Sequence, residues 1–126
     1  MSTESKIVIE LGHIDQRENG KIDLPKTSVE NEILPLMSDD LQNKVRAGVK
    51  KLEVVLVNDE DGRKFSLSFS CDLGTFFLKK FRSVAETYHL CAGYLVEFYP
   101  KTFQNRKLVI GFTFSSRSET SGRHRK

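Results

Sequence analysis

Residues 59–99 read DEDGRKFSLSFSCDLGTFFLKKFRSVAETYHLCAGYLVEFY. The apolar period changes twice along this stretch, and the fold class follows from those changes. From Arg63 to Ser70 every second residue is apolar. Phe65, Leu67 and Phe69 share one face of a strand, with Lys64, Ser66, Ser68 and Ser70 on the other. Residues 71–74 form a turn and residues 75–79 resume a strand. Over residues 80–88 the period becomes helical, with Phe81, Val84, Ala85 and Tyr88 on one stripe. Residues 94–99 return to strand.

On the N-terminal side, residues 6–11 (KIVIEL) are rich in β-branched side chains and predict a strand. A polar loop at 12–20 ends in the turn pair Asn19-Gly20, and Ile22 and Leu24 alternate with polar neighbours in a second short strand. Pro25 ends it. Thr27 and Glu30 have the spacing of a capping box, which predicts a helix over 28–34 that buries Val29 and Ile33 and stops at Pro35. Ser38-Asp39-Asp40 caps one or two further helical turns. Leu41, Val45 and Val49 recur there every four residues, with Gly48 weakening the end. Residues 52–57 are wholly apolar from Val54 and predict a strand buried on both faces. A strand at 107–114 follows a polar loop at 100–106. These elements predict a mainly β chain: a seven-stranded open β-barrel with two short α-helices, occupying 6–114. Residues 1–5 are expected to be a flexible N-terminus, and 115–126, which hold no apolar residue, a disordered basic tail.

The 126 residues suffice for one domain, and 38% apolar content suffices for one core. The net charge of +3 conceals an asymmetry. Residues 1–41 carry nine acids and four bases, net −5, and the remainder is net +8, which suits a polyanionic partner. Cys71 and Cys91 are too few for a disulfide framework or a zinc site, and His13, His89 and His124 share no ligand spacing. Neither a secretory signal nor a membrane-spanning run is visible, so a soluble intracellular protein is expected. No Gly-rich phosphate loop, HExxH or GxSxG occurs. No enzymatic activity, cofactor, metal, small-molecule substrate or membrane partner is therefore expected.

The order of motifs resembles the plant-specific B3 DNA-binding domain over roughly residues 6–114. The matching residues are Leu24-Pro25-Lys26 before a short helix, Asp59 or Asp61 with Gly62-Arg63-Lys64-Phe65 in a hairpin, Phe77-Leu78-Lys79-Lys80-Phe81, and the run from Leu90 through Gly93 to Phe98. Phe81 stands where the family usually has Trp, which keeps the packing role. Tyr94 stands where it usually has Asp.

The resemblance implies an open barrel that grips the DNA major groove with two arms. The first arm corresponds to Asp15, Gln16, Arg17, Glu18, Asn19, Gly20 and Lys21. In it Arg17 suits guanine, and Gln16 or Asn19 suits adenine. The second corresponds to Lys64, Ser66, Ser68, Ser70, Asp72 and Thr75. Lys21, Lys26, Lys64, Lys79, Lys80 and Arg82 are the expected phosphate anchors. Small hydroxyls specify bases poorly, and Asp15, Glu18 and Asp72 repel phosphates. The expectation is a nuclear domain of a plant transcription regulator that binds double-stranded DNA weakly and with little sequence preference. The rival expectation is a protein-interaction module on the same barrel, with Phe98-Tyr99 and Phe103 in its contact surface. The Lys44, Arg46, Lys50 and Lys51 cluster spreads over more than one helix face and reads as solvated surface.

Overall fold

The alternating run forms β4 (Lys64–Asp72), and a two-residue turn leads into β5 (Thr75–Lys79). Leu67, Phe69 and Cys71 are buried on one face of β4, while Lys64, Ser66 and Asp72 are exposed on the other. A computed structural model describes residues 6–12 and 20–116, which include five further strands. These are β1 (Ile7–Glu10), β2 (Ile22–Leu24), β3 (Leu52–Asn58), β6 (Tyr94–Gln104) and β7 (Lys107–Ser116). The helices are α1 (Lys26–Glu32), α2 (Asp39–Arg46) and α3 (Arg82–Tyr88), with a 3-10 turn at Leu34–Leu36.

One sheet takes the order β1-β6-β7-β3-β4-β5-β2. All its neighbours are antiparallel except β3 and β7, which run parallel from Glu53↔Lys107 to Asn58↔Phe112. β1 and β2 follow each other in the chain yet form opposite edges of the sheet. Residues 11–21 join them, and the sheet curls into a nearly closed barrel. Phe69, Phe76, Phe81, Phe98 and Phe112 are fully buried inside it. Each such ring stabilises the fold by about 1.5–3 kcal/mol through its removal from water. Phe81 meets Phe98 edge-to-face at 6.3 Å, the packing role expected of it.

The structure corrects the sequence reading in several places. Among the described residues there are three α-helices rather than two. α2 is complete because the Ser38 hydroxyl accepts from Leu41 N–H at 3.3 Å, with Asp39 and Asp40 in its first turn and Lys44 and Arg46 in its last. Beyond Gly48 (φ +78) the helix is over, and Val49 is exposed rather than part of a stripe. α1 starts at Lys26 without the Thr27 capping box, because the Pro25 carbonyl already accepts from Val29 N–H at 3.0 Å. Residues 100–104 are strand, not loop. β6 and β7 form one long hairpin closed by Asn105-Arg106, both at positive φ. Pro100 is tolerated there because β1 pairs with β6 only over residues 95–98, leaving the other side of the strand open. A bulge skips Lys101 and flips the parity, so Phe103 turns inward opposite Leu108. β7 reaches Ser116, two residues past the expected domain end. β3 buries Val54 and Leu56 but leaves Val55 and Val57 half-buried on the outer face. The residues expected to be flexible at 1–5 and from 117 onward lie outside the described residues.

The turn after β3 is tied to α3. Asn58 Oδ1 accepts from Glu60 N–H at 2.7 Å, and Asp61 Oδ1 accepts from Arg63 N–H at 2.8 Å. The Tyr88 hydroxyl donates to Asp61 Oδ2 at 2.8 Å. The Arg63 amide, and after it the Tyr88 hydroxyl, hold the Asp61 carboxyl below its ordinary range. Burial, and then the facing carboxylate, push the Tyr88 phenol up. A depressed carboxyl means the folded state prefers the anion. The tie is therefore intact at neutral pH and is lost as pH falls through the folded-state value. Tyr88→Phe should raise the Asp61 titration midpoint toward the ordinary carboxylate range, read from its side-chain carbonyl shift by NMR. An unmoved midpoint contradicts the coupling.

Candidate nucleic-acid interface

The outer face of β2, β5 and β4 carries most of the sequence-predicted contacts that fall within the described residues. Register fixes their places. Ser68 lies opposite Lys79, Ser70 opposite Phe77, Asp72 opposite Thr75, and Asp23 of β2 opposite Phe77. In the pair Phe76-Phe77 only one ring can face the core. Phe76 does, and Phe77 points outward. Phe77 is nonetheless only 4% exposed, because lysine stems close over it. Lys21 Nζ sits 4.3 Å from its ring centroid and Lys79 Nζ 5.3 Å. Two ammonium groups are thus drawn to one aromatic platform, each cation–π contact worth about 0.5–1 kcal/mol at an exposed site.

Beside this pair, Ser66, Lys80, Arg82, Ser83 and Glu86 line a depression of about 400 Å³. Lys80 occupies the left-handed region (φ +73) at the bend between β5 and α3, which turns Lys79 and Arg82 to the same end of the barrel. Arg82 Nε also donates to Glu86 Oε2 at 2.9 Å, one helical turn on, which offsets part of its charge. The root of the first expected arm is fixed here too. The Phe81 N–H donates to the Gly20 carbonyl at 3.0 Å, and Gly20 has φ +92. A Cβ on Gly20 would lie 2.6 Å from the Arg82 backbone nitrogen. Only glycine lets this strand start so close to α3.

The structure does not gather the expected second arm into an arm. Lys64 to Asp72 is the full length of β4, about 27 Å at strand rise, with Lys64 and Thr75 near opposite ends. Lys26 begins α1 at the Thr75 end, beyond Leu24, which pairs with Phe76. Ser70 presents almost no surface to a partner. It is 4% exposed, and its hydroxyl is buried with no partner among the described residues, beside Phe77. Gln16, Arg17 and Asn19 lie outside the described residues, as do Asp15 and Glu18. The rival surface fails in part. Phe98 is 1% exposed inside the barrel, and the Tyr99 hydroxyl is turned to Glu97. No group of His, Cys, Asp and Glu suited to a metal occurs among the described residues, and none of their helices is long and apolar enough to cross a membrane.

Sequence reasoning missed two features. The double Phe signalled that one ring must face outward, yet Phe77 as a platform for two lysines needed the β2 register. Leu73, at the β4–β5 turn, is 98% exposed with φ +52, a position that favours Asn or Gly.

No family model and no curated protein matches this sequence. Solved structures do. The Arabidopsis FUS3–DNA complex superposes with a TM-score of 0.58 at 11% identity, over 86% of this chain and 95% of that one. The structure of a hypothetical Arabidopsis thaliana protein superposes with a TM-score of 0.54 at 13% identity, over 92% of this chain and 96% of that one. The fold is the B3 pseudobarrel. The seven-stranded B3 architecture expected from the order of motifs is therefore the architecture of this chain, although identity this low carries only the fold.

Two substitutions test the geometry. Gly20→Ala should lower stability by roughly 2 kcal/mol or more in urea denaturation, through left-handed strain and the clash with the α3 backbone. Leu73→Asn should do the opposite. Asparagine suits the turn and no buried area is given up, so a gain of about 1 kcal/mol is expected. Equal stabilities for these variants and the parent would refute the backbone assignments.

Proposed function

We propose that this chain is a double-stranded DNA-binding domain, acting in the nucleus as a plant transcription regulator or a degenerate relative of one. The single observation that carries the reading is the convergence of Lys21 and Lys79 on Phe77, with Lys80 and Arg82 beside them on the same outer face. One neighbour in fold is itself in a complex with DNA, which supports the choice of polyanion. The dimensions agree. β5 separates the root of the 12–20 loop from the Leu73-Gly74 turn by four residue steps, roughly 13 Å. The major groove is about 12 Å wide.

In this reading Lys21, Lys79, Lys80 and Arg82 hold phosphates along the middle of the face. Lys64 extends the contact at one end, and Lys26 and Thr75 at the other. Base reading falls to Arg17, with Gln16 and Asn19, on the first arm. Ser66 and Ser68 bond phosphate or base without strong preference. Asp23, Asp72 and Glu86 are exposed on or beside the same face and oppose a polyanion. Binding is accordingly weak and of low sequence preference.

The test is fluorescence anisotropy of a randomised duplex pool at low and near-physiological salt, with sequencing of the bound fraction. Affinity should fall steeply with salt. Replacing Lys21, Lys79 and Arg82 by Gln keeps much of the stems over Phe77. It should reduce the log–log salt slope by about 0.9 for each phosphate no longer neutralised, near 3 in all. An enriched motif would make the chain a sequence reader and overturn the low-preference part. No binding at low salt would overturn the DNA reading.

A further inference from the structure

A second concave surface lies at the end of the barrel where the β6–β7 hairpin tip meets α2 and the start of β3. It is a groove of about 430 Å³, within the usual range for ligand sites of roughly 300–1,000 Å³. Leu41, Leu52 and Phe103 contribute its apolar surface, Phe103 arriving there because the bulge at Lys101 turned it inward. Its rim is cationic: Lys44, Lys50, Lys51 and Arg106. One carboxylate lines it, Glu53, and that side chain pairs with Lys107 at 3.7 Å. Lys44 pairs with Asp40 at 3.3 Å across an exposed helical turn, a contact of little strength. Lys50, Lys51 and Arg106 make no ion pair among the described residues. None of the groove residues belongs to the outer face of β2, β5 and β4.

The hairpin tip adds an independent observation. Asn105-Arg106 is a two-residue turn with φ +54 and +64, a geometry for which Asn-Gly is the favoured pair. Arginine stands at the second position in a backbone conformation that strains it, and its side chain lines the groove. Just outside, Val49 is 74% exposed immediately before Lys50. Three such cations around a floor of Leu and Phe are poorly suited to a duplex backbone, which offers charge but no apolar group to fill a concavity. They suit an acidic chain that carries apolar side chains.

We propose that this groove binds an acidic peptide segment of a partner protein. One or two bulky apolar side chains of the peptide seat against Leu41, Leu52 and Phe103, and its carboxylates pair with Lys50, Lys51 and Arg106. This site is independent of the DNA reading and stands if that reading fails.

The test selects a displayed library of random 12-residue peptides on the full chain and counter-selects it on the variant Arg106→Gly. Glycine fits the turn better than arginine, so failure of this variant to bind cannot come from unfolding. Lys51→Glu supplies a second variant, checked for an unchanged circular dichroism spectrum. The expected result is enrichment of peptides with several Asp or Glu and at least one large apolar residue. The enriched consensus peptide, fluorescein-labelled, should bind at least tenfold more weakly to either variant and to the parent when its apolar residues are replaced by Ser. Its addition should shift the backbone amide signals of Leu41, Leu52, Phe103 and Arg106. Four results would overturn the proposal: no enrichment over Arg106→Gly; equal binding of the Ser-replaced peptide; a 15-base-pair duplex, rather than the peptide, shifting those amides; or concentration-dependent self-association that Arg106→Gly abolishes, which would make the occupant a second copy of this chain.

Discussion

The parallel ladder between β3 and β7 joins two antiparallel units that could not otherwise share a core. On one side stand β3, β4, β5 and β2; on the other stand β7, β6 and β1. Each unit holds one strand from the start of the chain, and residues 11–21 tether those two outer strands. A flat sheet would hold the tethered edges six strand spacings apart, about 29 Å. Curling brings the two edges toward each other, and the curl encloses Phe69, Phe76, Phe81, Phe98 and Phe112. The helices then cover what the sheet leaves open, with Val29, Val45 and Val84 directed into the same core.

Closure also decides what faces out. On the inside, alternation is satisfied by apolar residues almost without exception. Outside, β5 presents Phe77 between lysines, and this works because β2 lies next to β5 and brings Lys21 over the ring from the other side. α3 is seated on that same end by three separate ties: the Phe81 amide to Gly20, the Tyr88 hydroxyl to Asp61, and the burial of Val84 and Ala85. Lys79, Lys80 and Arg82 are therefore carried on a rigid corner rather than on a free loop, which is how a modest net charge becomes a local concentration of cations. At the opposite end the hairpin tip, α2 and the start of β3 make a second basic surface with a different, apolar floor.

Much of the architecture is legible in the sequence. The period-two runs at 63–70 and 107–114, the helical stripe through Phe81, Val84, Ala85 and Tyr88, and the punctuation at Pro25, Gly62 and Gly74 locate the strands, the third helix and most of the turns. Local propensity and hydrophobic period are properties of neighbouring residues, so the chain carries them openly. The sequence misleads where a distant partner overrides a local signal. Residues 100–104 are mostly polar and contain a proline, yet they are strand because β7 supplies a ladder for them. Val49 continues a helical period, yet Gly48 has already ended the helix. Ser70 sits on the polar side of its strand, yet it is buried beside Phe77.

The candidate interface divides in the same way. Sequence alone determined which residue types were at hand: lysines and an arginine near 79–82, serines alternating on β4, a polar loop at 12–20, and a basic cluster at 44–51. It also determined the B3-like order of elements. Only the tertiary structure decided which of these residues meet. Lys21 and Lys79 are 58 residues apart in the chain and share one aromatic ring because β2 pairs with β5. Lys44 and Arg106 share a groove because the β6–β7 hairpin, lengthened by a bulge, reaches α2. A contact between remote residues depends on strand register and on the curl of the sheet, and both are set by the burial of the whole core rather than by any one segment's own residues.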